Sequence, residues 1–112
     1  MPSGIYLRRL RPRLAATEKA TSNDFRWAAG FYEGEGCARQ VRGCTVTQIT
    51  QKDPWVLERM KALFGGSIGP TGASRTAWQW HISGARARGF LMSIYGLLSP
   101  RRQQQIRNAL GQ

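Results

Sequence analysis

Histidine and cysteine are almost missing from this chain: its 112 residues include one histidine, His81, and two cysteines, Cys37 and Cys44. Three such side chains are a thin set for zinc, which commonly takes four ligands. No secretory signal precedes the cysteines, so two reduced thiols are expected rather than a disulfide across a hairpin. No stretch is apolar enough to span a bilayer and no strongly basic amphipathic helix dominates, which disfavours a membrane partner. Gly65-Gly66 and Gly69-Pro70-Thr71-Gly72 lack a following Gly-Lys-Ser/Thr, so a phosphate-cradling nucleotide loop is not indicated. Acids are scarce as well: six Asp and Glu face seventeen Lys and Arg, giving +11 and a pI near 11.3.

That surplus calls for a polyanion, and nucleic acid is the simplest one. Fourteen of the seventeen cations are arginine, the residue suited to bidentate phosphate and guanine contacts. The same skew fits a GC-rich bacterial or phage source and a cytoplasmic protein. The Arg-rich first twenty residues, with Glu18 as their one acid, also suit an organelle transit peptide. Residues 1–22, with Arg8, Arg9, Arg11 and Arg13 among Pro2 and Pro12, read as a basic arm that adds nonspecific phosphate attraction. Residues 23–112 are enough for a single small domain, whose marginal stability dimerisation would raise.

Asp24 to Gly36 reads as a helix with Asp24 as its cap and Gly36 as its stop. Phe25, Ala28, Ala29 and Tyr32 fall on one face, Trp27 and Phe31 on an adjoining one. Several local rules fail inside this helix. Glu33 and Glu35 sit in the last turn, where the macrodipole disfavours carboxylates by about 0.3–1 kcal/mol each. Gly30 and Gly34 each cost about 1 kcal/mol relative to alanine. Violations clustered this tightly point to function. The two glycines bare a strip of backbone that a second helix can approach closely. If the same helix from a second copy packs there, two Glu35 carboxylates converge, and near a phosphate backbone such a pair suits Mg²⁺.

Further along, Cys37–Val41 and Cys44–Gln51 read as strands around an Arg42-Gly43 turn. Asp53-Pro54 opens a helix with Val56, Leu57, Met60, Leu63 and Phe64 on its buried face, ended by Gly65-Gly66. A short strand at Ser67–Gly69 precedes Thr76–Ser83, where Trp78, Trp80 and Ile82 alternate with Ala77, Gln79, His81 and Ser83. A helix over Ala85–Leu98, with Phe90, Leu91, Ile94, Tyr95 and Leu98 apolar, leads to a basic one from Ser99-Pro100 to Leu110. The order predicts an α+β domain: a four-stranded antiparallel sheet with helices on one face and an extra C-terminal helix. The three large apolar residues of Thr76–Ser83 must then face the helices, leaving Gln79 and His81 outward for base edges, with Arg75 beside them. Arg39, Arg42, Gln48 and Thr50 in the first hairpin are the other candidates for DNA contact.

Ala28-Ala29-Gly30-Phe31-Tyr32-Glu33-Gly34-Glu35-Gly36 resembles the nine-residue signature of the LAGLIDADG homing endonucleases, with Glu33 and Glu35 at its acidic positions. Thr47-Gln48-Ile49-Thr50-Gln51-Lys52-Asp53, Phe64-Gly65-Gly66-Ser67-Ile68 and Gly96-Leu97-Leu98-Ser99-Pro100-Arg101-Arg102-Gln103 are similar to later elements of the family, in the same order. Ala28 stands where leucine is usual, and glutamate replaces aspartate at both acidic positions.

The resemblance implies an αββαββα core and, with one motif per chain, a homodimer paired through Ala29, Gly30, Glu33 and Gly34. It also implies Mg²⁺- or Mn²⁺-dependent cleavage of a long, pseudo-palindromic double-stranded DNA site. Glu35 would bind metal, Gln51 would orient water, and Arg101, or Arg102 one register on, would stabilise the transition state. Two alternatives remain beside it. One is a catalytically inert DNA-binding regulator or RNA-splicing maturase of the same fold. The other is an unrelated basic RNA-binding protein, which would need solvent-facing aromatics.

Overall fold

A reciprocal pair of hydrogen bonds opens the first helix. Thr21 Oγ1 accepts the Asp24 N–H at 3.2 Å, and Asp24 Oδ2 accepts the Thr21 N–H at 2.9 Å. Two orphan donors are satisfied at once, where a lone Asp24 cap would satisfy fewer. The computed structural model describes residues 20–72 and 75–111. In it, helix α1 (Ser22–Glu35) has Thr21 as its cap and Asp24 inside its first turn. Ala20, Thr21 and Ser22 are therefore part of the described fold, Ala20 packing against the core; the remainder of the basic arm, residues 1–19, lies outside the described residues.

From α1 the chain runs through β1 (Gly36–Val41), β2 (Cys44–Gln51), α2 (Pro54–Phe64), β3 (Ser67–Thr71), β4 (Ala77–Ser83) and α3 (Gly84–Ile94). A single 3-10 turn (Tyr95–Leu97) then leads to α4 (Pro100–Ala109). The sheet order is β1-β2-β4-β3, every neighbouring pair antiparallel. This is the expected α+β, αββαββα arrangement with an added C-terminal helix. Among the described residues no helix is long and apolar enough to cross a membrane.

The helices cover one face of the sheet. Tyr32, Leu57, Met60, Trp80, Leu91, Ile94 and Ile106 are completely buried between them. Phe90 sits at the centre, with ring centroids of Phe64 at 4.9 Å, Trp80 at 5.4 Å and Tyr32 at 6.1 Å. The Trp80 indole N–H donates to the Gly65 carbonyl at 2.7 Å, so the ring brings no unpaired donor inside.

Thr45 and Thr47, which interrupt the apolar alternation of β2, do face inward, because each hydroxyl has a buried acceptor. Thr45 Oγ1 donates to the Ala109 carbonyl at 2.9 Å, and Thr47 Oγ1 lies 2.8 Å from the Cys37 carbonyl and 3.0 Å from the Tyr32 hydroxyl. Burial pushes the Tyr32 phenol up to about 12.

Three local expectations change. The helix read as Ala85–Leu98 stops at Ile94 and tightens into the 3-10 turn, after which Leu98 and Ser99 are extended ahead of Pro100. β3 runs on to Thr71 and includes Pro70, which an edge strand tolerates. Trp78 lies in the inward phase of β4, yet α2 does not cover it. It stays 37% exposed and lines an open cleft of about 520 Å³ with Pro54, Glu58, Lys61, Ala62 and Ile68.

Candidate nucleic-acid interface

The sheet face opposite the helices carries Arg39 from β1, Gln48 and Thr50 from β2, and Gln79 and His81 from β4. Pairing sets them in rows: Cys37, Gln48, His81 and Ser67 are successive partners across the four strands, and Thr50 pairs with Gln79. Because side chains alternate with a period of two, Ile49 and Trp80 between them go to the core. Arg42 is exposed at the tip of the β1–β2 hairpin, where it and Gly43 both have positive φ, 53° and 80°. Two such residues match the right-handed twist of the flanking strands. Arg75 is exposed just before β4. Arg39 Nη1 donates to Gln48 Oε1 at 3.0 Å, a pairing that sequence reading did not anticipate.

The signature helix ends at one end of this sheet. Glu35, its last residue, is exposed. Gly36 follows as the first residue of β1 and pairs with Ile49, so Gln51, two residues beyond Ile49, finishes β2 at the same end. Gln51 falls in the inward phase, opposite Trp78. Gly36 has ordinary extended backbone, φ −78° and ψ 160°. It is glycine for a steric reason: a Cβ there would lie 2.4 Å from Cδ2 of the buried Tyr32 ring.

Glu33 is used within the chain. Its carboxylate accepts the Ser99 N–H at 2.8 Å and the Ser99 hydroxyl at 2.7 Å, at the start of α4. The Ser99 backbone bond, then its hydroxyl, hold the Glu33 carboxyl below its usual range; desolvation opposes them, and the charges of Arg102 and Arg101 add to the lowering. A carboxylate misplaced at the C-terminus of α1 is well placed at the N-terminus of α4.

Arg102 makes the reciprocal contact. It is 8% exposed, with Nε on the Glu33 carbonyl at 2.9 Å and Nη1 on the Gly36 carbonyl at 2.6 Å and on Gln105 Oε1 at 2.8 Å. It therefore caps the end of α1 around Glu35, while Arg101 is exposed. Of the two registers considered for the basic element, Arg102 is the one locked against the signature helix and Arg101 the one open to a ligand.

Of the four residues expected to pair two chains, Ala29 is 3% exposed and packed into this chain's core, and Glu33 is bonded to Ser99. Gly30 and Gly34 are exposed, and a Cβ added at either would meet nothing within 4 Å among the described residues. Trp27 and Phe31 flank them in edge contact, ring centroids 5.2 Å apart, with the Arg59 guanidinium 4.3 Å from the Trp27 ring centroid. Among the described residues no three His, Cys, Asp or Glu side chains come together as a metal site. Glu35 is the exposed carboxylate at this helix end, and a single carboxylate is at most part of a Mg²⁺ site.

No family model matches the sequence, and no curated protein matches it. Solved structures do. The homing endonuclease I-CvuI in complex with its target superposes with a TM-score of 0.65 and 16% identity over 78% of this chain and 63% of that one. The archaeal intron-encoded homing endonuclease I-Vdi141I, complexed with DNA, gives 0.65 and 23% identity over 78% and 67%. The group I intron-encoded homing endonuclease I-CeuI, also complexed with DNA, gives 0.65 and 18% over 83% and 55%. This chain thus spans little more than half to two thirds of the length of each. The architecture agrees with the resemblance of Ala28–Gly36 to the nine-residue signature: the chain has the fold of the LAGLIDADG homing endonucleases.

Proposed function

We propose that the protein is a divalent-metal-dependent endonuclease that cuts a long, roughly palindromic double-stranded DNA site as a homodimer. The observation that carries this reading is the contrast within one helix end. Glu33 is bonded inside the chain, whereas Glu35 is exposed at the end of a helix whose bare Gly30–Gly34 strip is met by nothing among the described residues within 4 Å of an added Cβ. Pairing two such strips brings two Glu35 carboxylates together, and each outer sheet face then lies along one half of the site.

Glu35 from each copy would hold Mg²⁺ or Mn²⁺, with DNA phosphate oxygens and water completing the shell. When bound, the ion supplies Lewis acidity and an acidified water for in-line phosphodiester hydrolysis. The chain's own residues do the rest. Arg102 fixes the backbone on either side of Glu35, Gln51 offers an amide to orient water, and Arg101 places a cation for the charge that develops on phosphate. Arg39, Arg42, Gln48, Thr50, Arg75, Gln79 and His81 hold and read the duplex. The net charge of +11 favours a polyanionic substrate.

The test is to incubate the purified protein and its Glu35→Gln variant with a DNA library and Mg²⁺, then sequence any ends produced. Ends made by the wild type and lost in a variant that still binds support the nuclease. Binding with no ends from either protein would assign the inert DNA-binding regulator or maturase instead.

A further inference from the structure

A glutamine on a DNA-facing strand would ordinarily read adenine, because its amide sets one acceptor beside one donor, matching adenine N6 and N7. Gln48 is not in that state. Arg39 sits opposite Val46 and diagonal to Gln48 across the β1–β2 ladder, a separation that a long side chain spans. Its Nη1 donates to Gln48 Oε1 at 3.0 Å. One of the amide oxygen's two lone pairs is thus engaged by a cation, and what the pair presents outward is dominated by the Gln48 NH₂ and the remaining guanidinium N–H groups.

We propose that Arg39 and Gln48 act as one donor-rich recognition unit that selects guanine at a fixed position in each half-site. This rests on reading the outer sheet face as the DNA-contacting surface, and it names what part of that surface recognises. Guanine offers two acceptors, N7 and O6, on its major-groove edge; adenine N6 and cytosine N4 are donors and would meet a cation beside an oxygen already bonded. Among the described residues no carboxylate pairs with the Arg39 guanidinium. The strand positions on this face carry no Asp or Glu, and among the described residues the one ion pair is Arg59–Asp24, on the helix side. The flanking groups are Val46, Cys37 and His81, paired with Arg39, Gln48 and Gln48 respectively. Among the described residues Gln79 has no such hydrogen bond and keeps the adenine-compatible amide, so it serves as an internal comparison.

The experiment is selection of randomised duplexes by the full chain, followed by sequencing, for the wild type and for Arg39→Ala, Arg39→Ala/Gln48→Ala and Gln79→Ala. All three positions lie on the outer sheet face and none is buried, so the fold tolerates the changes. The wild type is expected to show one position per half-site where guanine exceeds other bases by roughly 5- to 100-fold. Arg39→Ala releases the amide and moves that position towards adenine, the double variant flattens it, and Gln79→Ala leaves it unchanged. A profile with no guanine position that responds to Arg39→Ala overturns the unit, as does an equal loss on all sequences, which would make Arg39 a phosphate contact; either outcome leaves DNA binding intact. Failure of the wild type to retain any duplex overturns the nuclease reading along with it.

Discussion

The Arg102 guanidinium donates to the Gly36 carbonyl at 2.6 Å while its Nε holds the Glu33 carbonyl at 2.9 Å, so one buried side chain spans the residue that carries the candidate metal carboxylate. Replacing Arg102 by methionine keeps volume and removes the donors, leaving two carbonyls at the end of α1 to seek other partners. Hydrogen bonds to charged groups contribute about 1.5–3 kcal/mol each, and a loss of about 2–4 kcal/mol is expected in urea unfolding. Arg101→Ala, at an exposed site, should stay within about 0.5 kcal/mol of wild type. If cleavage is found, Arg101→Ala should reduce it with the fold intact. Equal destabilisation by the two substitutions would contradict the division of roles.

Acid stability should depend on Glu33. Its folded-state pKa lies below the ordinary value of 4.5 because Ser99 donates two hydrogen bonds to the carboxylate. For a group depressed on folding, the unfolded chain takes up protons first. Its contribution is therefore complete above about pH 4.5 and is lost as pH falls through the lower, folded value. Chemical denaturation between pH 7 and pH 3 should show wild-type stability falling at the acid end more steeply than that of Glu33→Gln. Parallel curves would mean that the Glu33–Ser99 contact is not maintained in solution.

That contact also marks the boundary of what the amino-acid order discloses. The sheet, its helix-covered face and the outward set Gln48, Thr50, Gln79 and His81 follow from period-two alternation and turn chemistry, which are local. The Asp53 cap, whose side chain accepts the Trp55 N–H at 3.1 Å, was legible for the same reason. Glu33 was visible only as an anomaly, a carboxylate at the wrong helix end. Its resolution lies sixty-six residues away at Ser99, and no local pattern encodes which distant helix start will meet it. Arg102 was indistinguishable from Arg101 in a basic run until α4 packed and buried one of them. The Arg39–Gln48 pair needed the strand register, and Thr21 displaced Asp24 as cap because two reciprocal bonds outcompete one.

Gly36→Ala tests how tightly the end of the signature helix is set. The backbone there is open to any L-residue, so the consequence is purely steric: the new methyl would sit 2.4 Å from Cδ2 of a Tyr32 ring that is completely buried. Overpacking of this kind costs about 1–3 kcal/mol. Tyr32→Phe, which keeps the ring, should not relieve it. A smaller ring-free residue at 32 should offset part of the strain while opening a cavity of its own, so Gly36→Ala/Tyr32→Leu is expected to be less destabilised than the sum of the single changes. Strict additivity in thermal unfolding would show that the two positions do not touch.

Gly30→Ala and Gly34→Ala separate folding from self-association. Among the described residues neither added methyl meets anything within 4 Å, and both positions are exposed on a regular helix. Each change should raise the intrinsic stability of the monomer by up to about 1 kcal/mol, since alanine is the better helix former by that margin. Pairing through the same strip requires backbones to approach more closely than a methyl allows, so both variants should weaken dimerisation. Sedimentation across a concentration series, on free protein and on protein bound to a palindromic duplex, would read the association. Urea unfolding at concentrations below the dimer range would read the fold. Stability that rises while association falls is the signature of a strip kept bare for a second copy; association unchanged by both methyls would remove the shared cleft and with it the paired Glu35 carboxylates.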